Sequence, residues 1–297
     1  MRDLRPTLAI QANQWTAELL EKGWCVISGL VFPELIGALD SDLASDFRET
    51  PFCRGGFYGA RTKRFGRLLV RSPLAKRLVQ HPLILAISRQ VLEPWCDTIQ
   101  LNLTQAIAIN PGAPPQLPHR DQDMWRGAVG ETEYLVNVMW PFTRYTAANG
   151  ATIVWPNSHG KQALVPDQPA GEFPVELEPG SALLFLGSTL HGAGGNSSGE
   201  VRRGAIVSYC LGWLKPYENQ WLAYPPEIAR GFNPELAALV GYQQHRPNLG
   251  NYEGQCPSVL LQHQVPACFA ATDALRPDQQ ALVEQFVSAQ GWPSVTA

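Results

Sequence analysis

A histidine and an aspartate lie two residues apart in the segment Gln-Leu-Pro-His-Arg-Asp at 116–121. On an extended strand neighbouring side chains point to opposite faces, so His119 and Asp121 would share one face while Arg120 points away. With one further imidazole from elsewhere, this pair would complete the two-histidine, one-carboxylate set that suits non-haem Fe(II) and leaves coordination positions open. The segment therefore predicts half of a metal site.

The third ligand has to come from one of the other histidines. His191 is favoured because it follows the apolar run 182–186 and opens a glycine-rich turn, from which a side chain can point into a cavity without displacing a strand. His159, which lies in a turn, is the main alternative. The remaining candidates are His81 at the head of a helical segment, and His245 and His263 in the C-terminal part.

Two adjacent arginines follow His191 at the start of a predicted strand. A 2-oxo acid that chelates iron through its keto group and near carboxylate leaves its far carboxylate to be held by the protein, and a guanidinium holds a carboxylate through two parallel hydrogen bonds. Arg202 and Arg203 would point to opposite sides of the strand, so only one of them can face a cavity.

The scaffold predicted for these residues is a set of short antiparallel strands. Apolar or alternating segments separated by turn signals favour a sandwich or barrel flanked by helices, in the mostly β or α+β class. We expect a single domain over 1–297, with a helical N-terminal part at about 1–98, a β core at about 99–215 and a helical or irregular C-terminal part at about 216–297. The predicted core strands are 99–109, 134–141, 151–155, 174–177, 182–186 and 204–213.

Residues 54–71 are rich in arginine, lysine and glycine. This composition predicts a mobile basic loop rather than a regular element, and closing loops commonly complete sites of this kind. We therefore expect this loop to be able to close over the site.

The composition excludes several classes of partner. With 297 residues, 45% hydrophobic content and a net charge near −3, the chain is typical of a globular protein without a basic surface for nucleic acid or anionic membranes. We therefore expect a small-molecule ligand. The oligomeric state, monomer or homodimer, is left open.

The cysteines and the N-terminal segment favour a cytoplasmic protein. The six cysteines are far apart, and none forms a Cys-x-x-Cys pair, which favours free thiols in a reducing compartment over disulfides or a zinc site. The N-terminal residues lack the apolar core of a secretory signal. No apolar run approaches the roughly 18 residues that a membrane-spanning helix needs.

In order along the chain, these motifs resemble the phytanoyl-CoA dioxygenase family of Fe(II)/2-oxoglutarate oxygenases. The resemblance covers roughly residues 22 to 260. It rests on Gln-x-x-His-x-Asp, on Asn-Gly-Ala-Thr-Ile-Val-Trp-Pro-Asn-Ser-His at 149–159, on Pro-Gly-Ser through His-Gly-Ala-Gly-Gly-Asn at 179–196, and on the arginine pair. It implies a double-stranded β-helix, or jelly-roll, core.

The resemblance also implies roles for individual residues. It makes His119, Asp121 and His191 the iron ligands, and it makes Arg202, eleven residues after the distal histidine, the partner of the 2-oxoglutarate C5 carboxylate. Arg203 is the fallback for that role. In members that act on natural products, the positions of Gln116 and Thr152 contact the co-substrate.

Two positions qualify the resemblance. The family usually has Pro-Gly-Ser-His where this chain has Pro-Asn-Ser-His, and Asn157 can keep the turn because asparagine tolerates positive φ. Relatives that halogenate carry a small residue at the position of Asp121, so the carboxylate favours hydroxylation or another oxygenase outcome.

The sequence thus predicts an enzyme that uses Fe(II), 2-oxoglutarate and O2 to hydroxylate or otherwise oxidise a C–H bond of a small metabolite, in natural-product biosynthesis, releasing succinate and CO2. Met139 and Trp125 are the candidates for substrate-pocket residues. The alternative is a jelly-roll metalloprotein with isomerase or hydrolase activity, or a ligand-binding protein. An arginine clamp for a dicarboxylate distinguishes the two, because the alternative has no use for one.

Overall fold

The structure is a computed structural model that describes residues 5–127, 130–165 and 171–291. Its contacts divide the chain into two compact units, Met1–Tyr224 and Pro225–Ala297. The metal-site motifs and the predicted β core all fall within the first unit. The single domain over 1–297 stays a prediction.

Two antiparallel sheets form the centre of the first unit. One has six strands in the order β1-β7-β4-β9-β3-β2, and the other has three in the order β6-β5-β8. The strands predicted from the sequence are confirmed to within a few residues at each end. The strands are β1 Trp24–Ile27, β2 Thr62–Phe65, β3 Ile99–Ile109, β4 Leu135–Pro141, β5 Thr152–Val154, β6 Phe173–Val175, β7 Ala182–Leu186, β8 His191–Ala193 and β9 Arg202–Leu211.

The core between the two sheets defines the fold as a double-stranded β-helix. Leu103, Met139 and Phe185 from the six-stranded sheet belong to the same buried cluster as Val154 and Val175 from the three-stranded sheet. Side chains from facing sheets that meet in this way form the interior of a jelly roll. The fold class predicted from the sequence is confirmed.

Helices cover the outer face of the larger sheet, which explains why β4 is buried at every position. The helix α6 packs against β3, β4 and β9, and α1 packs against α6. Both faces of the central strands are therefore removed from water. The helices of the first unit are α1 Arg5–Lys22, α2 Pro33–Asp42, α3 Ala44–Glu49, α4 Leu68–Arg71, α5 Ala75–Val79, α6 Pro82–Leu92 and α7 Gln220–Ala223.

The N-terminal part is less purely helical than predicted, because β1 and β2 are strands of the larger sheet. Trp24 to Ile27 pairs with β7, and Thr62 to Phe65 pairs with β3. Both strands are only four residues long. Segments this short have too little periodicity to reveal their partners in a sequence.

The prediction of a basic loop without regular elements at 54–71 is wrong for two parts of this segment. Residues 62–65 form an edge strand and residues 68–71 form α4. Two of its cations are also tied to other segments, since Lys63 donates to the Phe47 carbonyl oxygen at 2.7 Å and Arg71 pairs with Asp46. Lys63 and Arg71 therefore anchor the second half of this segment to α3.

In the described residues, the second unit is mostly short helices and irregular segments. Its helices are α8 Pro226–Ala229, α9 Pro234–Leu239 and α10 Pro277–Ala289. Asn233 caps α9, because its side-chain oxygen accepts from the Leu236 amide at 2.8 Å. Over the described part of the chain, no helix is both long enough and apolar enough to span a membrane.

Candidate active site

His119, Asp121 and His191 come together at one end of the space between the sheets. One ligand atom from each residue lies within 4.8 Å of the others. His119 Nε2 is 3.5 Å from Asp121 Oδ1, and His191 Nε2 is 3.6 Å from Asp121 Oδ2. In the described part of the chain this is the only group of three such side chains that could hold a metal ion.

Backbone pairing brings the two histidines together across 72 positions of sequence. The His119 amide donates to the His191 carbonyl oxygen at 2.9 Å, and the His191 amide donates back to His119 at 3.0 Å. Asp121 is not on the extended strand that the sequence predicted, because a 3-10 turn, Asp121–Met124, begins at this residue. The turn still directs its carboxylate towards both imidazoles.

Both imidazoles are oriented by main-chain carbonyl groups. His119 Nδ1 lies 2.8 Å from the Leu117 carbonyl oxygen, and His191 Nδ1 lies 3.0 Å from the Thr189 carbonyl oxygen. A carbonyl oxygen can only accept, so each Nδ1 carries the proton and each Nε2 keeps its lone pair for the centre of the cluster. The rings of Phe57 and Phe185 pack against His119 and His191.

The charge states suit a divalent metal ion. Burial acts to raise the pKa of Asp121, but His191, His119 and a hydrogen bond from Asn137 outweigh it and lower this pKa to about 2. Burial lowers the pKa of His191, which favours the neutral imidazole. The cluster therefore offers an ionised carboxylate at Asp121 and a neutral imidazole at His191, the forms in which these groups bind metal.

A cavity of about 370 Å³ opens beside the cluster. Its lining is mostly apolar, and the hydroxyl groups of two lining residues, Tyr58 and Tyr217, form a hydrogen bond with each other. The volume lies within the range of small-molecule pockets. Besides the three residues of the cluster, its lining residues include Tyr58, Arg64, Gln105, Gln116, Met139, Thr152, Phe185, Arg202, Ile206 and Tyr217.

Arg202 lies in the wall of this cavity. Its side chain is 2% exposed, Nη2 donates to the Thr152 hydroxyl at 3.3 Å, and the guanidinium lies 3.8 Å above the ring of Tyr145. Its Nε is buried without a hydrogen-bond partner. No carboxylate of the described residues forms an ion pair with it, so this buried cation is free to bind an anion in the cavity.

Arg203 points to the other side of β9, as the alternation of a strand requires. Nε and Nη2 donate to the two oxygens of Asp40 at 2.8 and 2.6 Å. Asp40 lies in α2, so Arg203 ties this helix to the outer face of the sheet. Of the two arginines, Arg202 is the one that faces the cavity.

Three of the four remaining candidate residues lie at the cavity. Gln116, Thr152 and Met139 line its wall. Trp125 is not among the lining residues, because its indole N–H donates to the Lys215 carbonyl oxygen at 2.9 Å and its ring packs against Tyr134. The prediction of Trp125 as a pocket residue is therefore not supported by its position.

His159, the main alternative ligand, has a structural position. Its Nε2 lies 2.9 Å from the Leu20 carbonyl oxygen at the end of α1, and its ring would contact any side chain added at Gly23. In the same turn Asn157 has φ of 59°, which is the conformation that the asparagine was expected to tolerate. The turn therefore keeps its shape without the usual glycine.

Sequence reasoning missed two residues at this site. Arg64 on β2 lines the cavity, with Nη1 3.1 Å from Gln105 Oε1 and Nε buried without a partner. Asn137 on β4 donates from Nδ2 to Asp121 Oδ2 at 2.9 Å. Arg64 was hidden among the many basic residues of 54–71, and a single asparagine within an apolar strand carried no pattern at all.

The jelly-roll core with two histidines and one carboxylate beside a cavity defines the protein as a candidate non-haem metalloprotein with the ligand set that suits Fe(II). Comparison with known proteins gives the family. Residues 19–204 match the model of the family described as "Phytanoyl-CoA dioxygenase (PhyH)". The chain belongs to this family, and its role is that of an oxygenase.

Similar characterised proteins are fungal dioxygenases. The chain is 28% identical to "Dioxygenase trt7" of Aspergillus terreus over 256 aligned residues. The alignment covers 82% of this chain and 87% of that protein. The chain is 31% identical to "Dioxygenase FrzG" of Cladobotryum sp over 227 aligned residues. This alignment covers 71% of this chain and 73% of that protein.

Solved structures with the same fold include two proteins that were crystallised with a metal ion and the same 2-oxo acid. One is the epimerase SnoN in complex with Fe3+, alpha ketoglutarate and nogalamycin RO, with a TM-score of 0.57, 17% identity and coverage of 69% of this chain and 85% of that chain. Another is HygX from Streptomyces hygroscopicus with nickel, 2-oxoglutarate and hygromycin B, with a TM-score of 0.54, 14% identity and coverage of 69% and 89%. At these identities the likeness shows the fold alone.

Proposed function

We propose that this protein is an Fe(II)- and 2-oxoglutarate-dependent enzyme that hydroxylates, or otherwise oxidises, a C–H bond of a small metabolite in natural-product biosynthesis. The observation that carries the proposal is the position of Arg202 in the same cavity as the His119, Asp121 and His191 cluster. Arg202 is buried and forms no ion pair with any described residue. A metal-binding cluster alone would suit many chemistries. A cluster with a carboxylate-binding cation in the same small cavity suits a chelating 2-oxo diacid.

The residues fit both groups. Two Nε2 atoms and an ionised carboxylate on one side of a metal ion leave the other side open for a bidentate ligand. At the far end of the ligand, Arg202 and the Thr152 hydroxyl provide hydrogen-bond donors for a carboxylate. Binding of that carboxylate would give the buried guanidinium the charged partner that it lacks among the described residues.

When bound, Fe(II) and 2-oxoglutarate supply the oxidising chemistry, in which O2, the co-substrate and a C–H bond give succinate, CO2 and the oxidised product. The protein's own part is to bind, orient and exclude water. Arg202 fixes the direction of the co-substrate, and the apolar side chains of Met139, Phe185 and Ile206 keep bulk water from the reacting atoms.

Arg64 and Gln116 complete the polar lining. Arg64 places a second guanidinium in the cavity beside Gln105, and Gln116 precedes the first histidine ligand by three residues. A dicarboxylate brings two negative charges into a cavity that already contains Asp121. We propose that Arg64 and Gln116 contact the end of the co-substrate that is remote from Arg202.

The test is release of succinate from 2-oxoglutarate by the purified protein with Fe(II), ascorbate and O2, compared with the Arg202→Met variant. Wild-type turnover above the variant supports the proposal. No Fe(II) binding and no succinate would contradict it. Incorporation of ¹⁸O from ¹⁸O2 into a product then separates hydroxylation from desaturation, ring formation or epimerisation.

A further inference from the structure

The hydrogen bond between Asn137 and Asp121 is a contact that no part of the proposed function yet uses. Asn137 lies in the middle of β4 and is 0% exposed. Its Nδ2 donates to Asp121 Oδ2, whereas its Oδ1 is buried without a hydrogen-bond partner. A buried amide that leaves half of its hydrogen-bonding capacity unused is costly, so an apolar residue would serve packing better at this position.

The surroundings of Asn137 on the sheet point to the same conclusion. In the pairing of the strands Asn137 is opposite Phe185 on one side and Ser208 on the other, so its side chain is on the face that carries the cavity. Its neighbours Val136 and Val138 point to the other face and are fully buried. Asn137 is thus a polar residue set into an apolar strand at the point nearest the carboxylate of the cluster.

We propose that Asn137 is a positioning residue that holds one oxygen of Asp121, so that the carboxylate presents only its other oxygen to the metal ion. This inference rests on the proposed function. Around an octahedral ion, three protein atoms and a bidentate 2-oxo acid leave one position open. A carboxylate that bound through both oxygens would fill that position, whereas the Asn137 amide fixes Oδ2 against this rotation.

Loss of the Asn137 amide should weaken the binding of both the metal ion and 2-oxoglutarate. Partners of metal ligands that orient them typically change metal affinity by about 10- to 100-fold when they are removed. Without the amide, the Asp121 carboxylate is no longer held in the orientation that faces the two imidazoles, so metal affinity falls. The 2-oxoglutarate affinity of the metal-loaded protein falls too, because the second carboxylate oxygen competes for the same positions.

The experiment uses the full chain, stripped of metal, as wild type and as Asn137→Leu and Asn137→Ser. Leucine keeps the volume without the donor, and serine keeps a hydroxyl that is too short to reach Asp121. Titration with Co(II) by calorimetry gives the metal affinity, and titration of the Co(II)-loaded proteins with 2-oxoglutarate gives the co-substrate affinity. The visible absorption of Co(II) reports a change in its coordination.

Ser208→Ala is the matched control. Ser208 is a buried polar residue on the same face and is opposite Asn137, but its hydroxyl accepts from Asn102 at 3.1 Å rather than contacting Asp121. If Asn137 had only a structural role, Asn137→Leu and Ser208→Ala would both change the melting temperature and leave Co(II) binding alone. We expect a loss of Co(II) affinity of about 10- to 100-fold and an altered Co(II) spectrum in both Asn137 variants and neither effect in Ser208→Ala.

Two results would overturn the inference, and they are distinguishable. A folded Asn137→Leu or Asn137→Ser protein with wild-type Co(II) and 2-oxoglutarate affinities would leave the proposed function standing and remove the role of Asn137. A wild-type protein that bound neither Co(II) nor Fe(II) would remove the proposed function, and the role of Asn137 with it.

Discussion

At the scale of single residues, Arg202 and Arg203 show how one step along a strand separates two functions. Arg202 is buried in the cavity without an anionic partner among the described residues, and Arg203 forms two hydrogen bonds with Asp40 on the outer face. The two side chains have the same chemistry. Only the face of β9 on which each one lies decides that the first is available for a ligand and the second holds α2 in place.

Replacement of Arg202 by methionine should weaken 2-oxoglutarate binding to the metal-loaded protein by about 10- to 100-fold. The reason is that hydrogen bonds to a charged group contribute about 1.5–3 kcal/mol and tenfold in affinity corresponds to about 1.4 kcal/mol. Calorimetry on the Co(II)-loaded protein measures this. Arg203→Met is the control, since it should lower the melting temperature slightly and leave 2-oxoglutarate affinity unchanged. Equal losses in both variants would show that the assignment is wrong.

At the scale of elements, β9 carries the site because it lies in the middle of the larger sheet, between β4 and β3. Its inward face bears Arg202, Gly204 and Ile206 in alternation. Gly204 leaves room for a neighbour: an added Cβ would lie 2.6 Å from the Trp140 carbonyl oxygen and would collide with the Tyr145 hydroxyl. Tyr145 is the ring on which the Arg202 guanidinium rests.

Gly204→Ala should therefore destabilise the protein by about 1–3 kcal/mol, as overpacking of a core does. It should also weaken 2-oxoglutarate binding, because Tyr145 has to move away from Arg202. Thermal unfolding and calorimetry measure the two effects. Gly37→Ala in α2 is the control, since nothing lies within 4 Å of an added Cβ there and alanine favours a helix. A Gly204→Ala protein as stable as Gly37→Ala would contradict this packing.

At the scale of the whole molecule, metal binding joins segments that are distant in sequence. The cluster connects the turn at 121–124 with β8, and these are also held by the paired backbones of His119 and His191. The turn has four residues and β8 has three, so neither segment is part of a long strand. A ligand that binds all of them at once favours the folded state over the unfolded chain, which has no preformed site.

Addition of Co(II) at about 100 times its dissociation constant should stabilise the folded protein by about 2.7 kcal/mol, provided that the unfolded chain does not bind it. The rise in melting temperature should be reversed by a chelator. It should be absent in His191→Ala and present in His159→Gln, because the His159 Nε2 lies against the Leu20 carbonyl oxygen at the end of α1 rather than in the cluster. A metal-dependent rise in His191→Ala would refute the ligand set.

The resemblance and the residue patterns together predicted most of the scaffold and the residues that meet at the cavity. Alternation of apolar and polar residues located β3, and apolar segments bounded by turn signals located β4, β7 and β9. The short edge strand β2 was missed, since its identity depends on β3, the longer strand with which it pairs. Because β2 pairs with β3, Arg64 lies in the cavity wall and not on the surface.

The sequence by itself determined the types of the metal-site residues, their order and the alternation that sends Arg202 and Arg203 to opposite faces, because these are local properties of the chain. The tertiary structure decided three further points. It placed His191 rather than His159 beside His119 and Asp121. It directed the Trp125 indole N–H to the Lys215 carbonyl oxygen and left this residue out of the cavity lining. It also brought the Asn137 amide to the carboxylate of Asp121. Each of these depends on which strands pair and in which register, and register is set by the packing of the whole core rather than by any single segment.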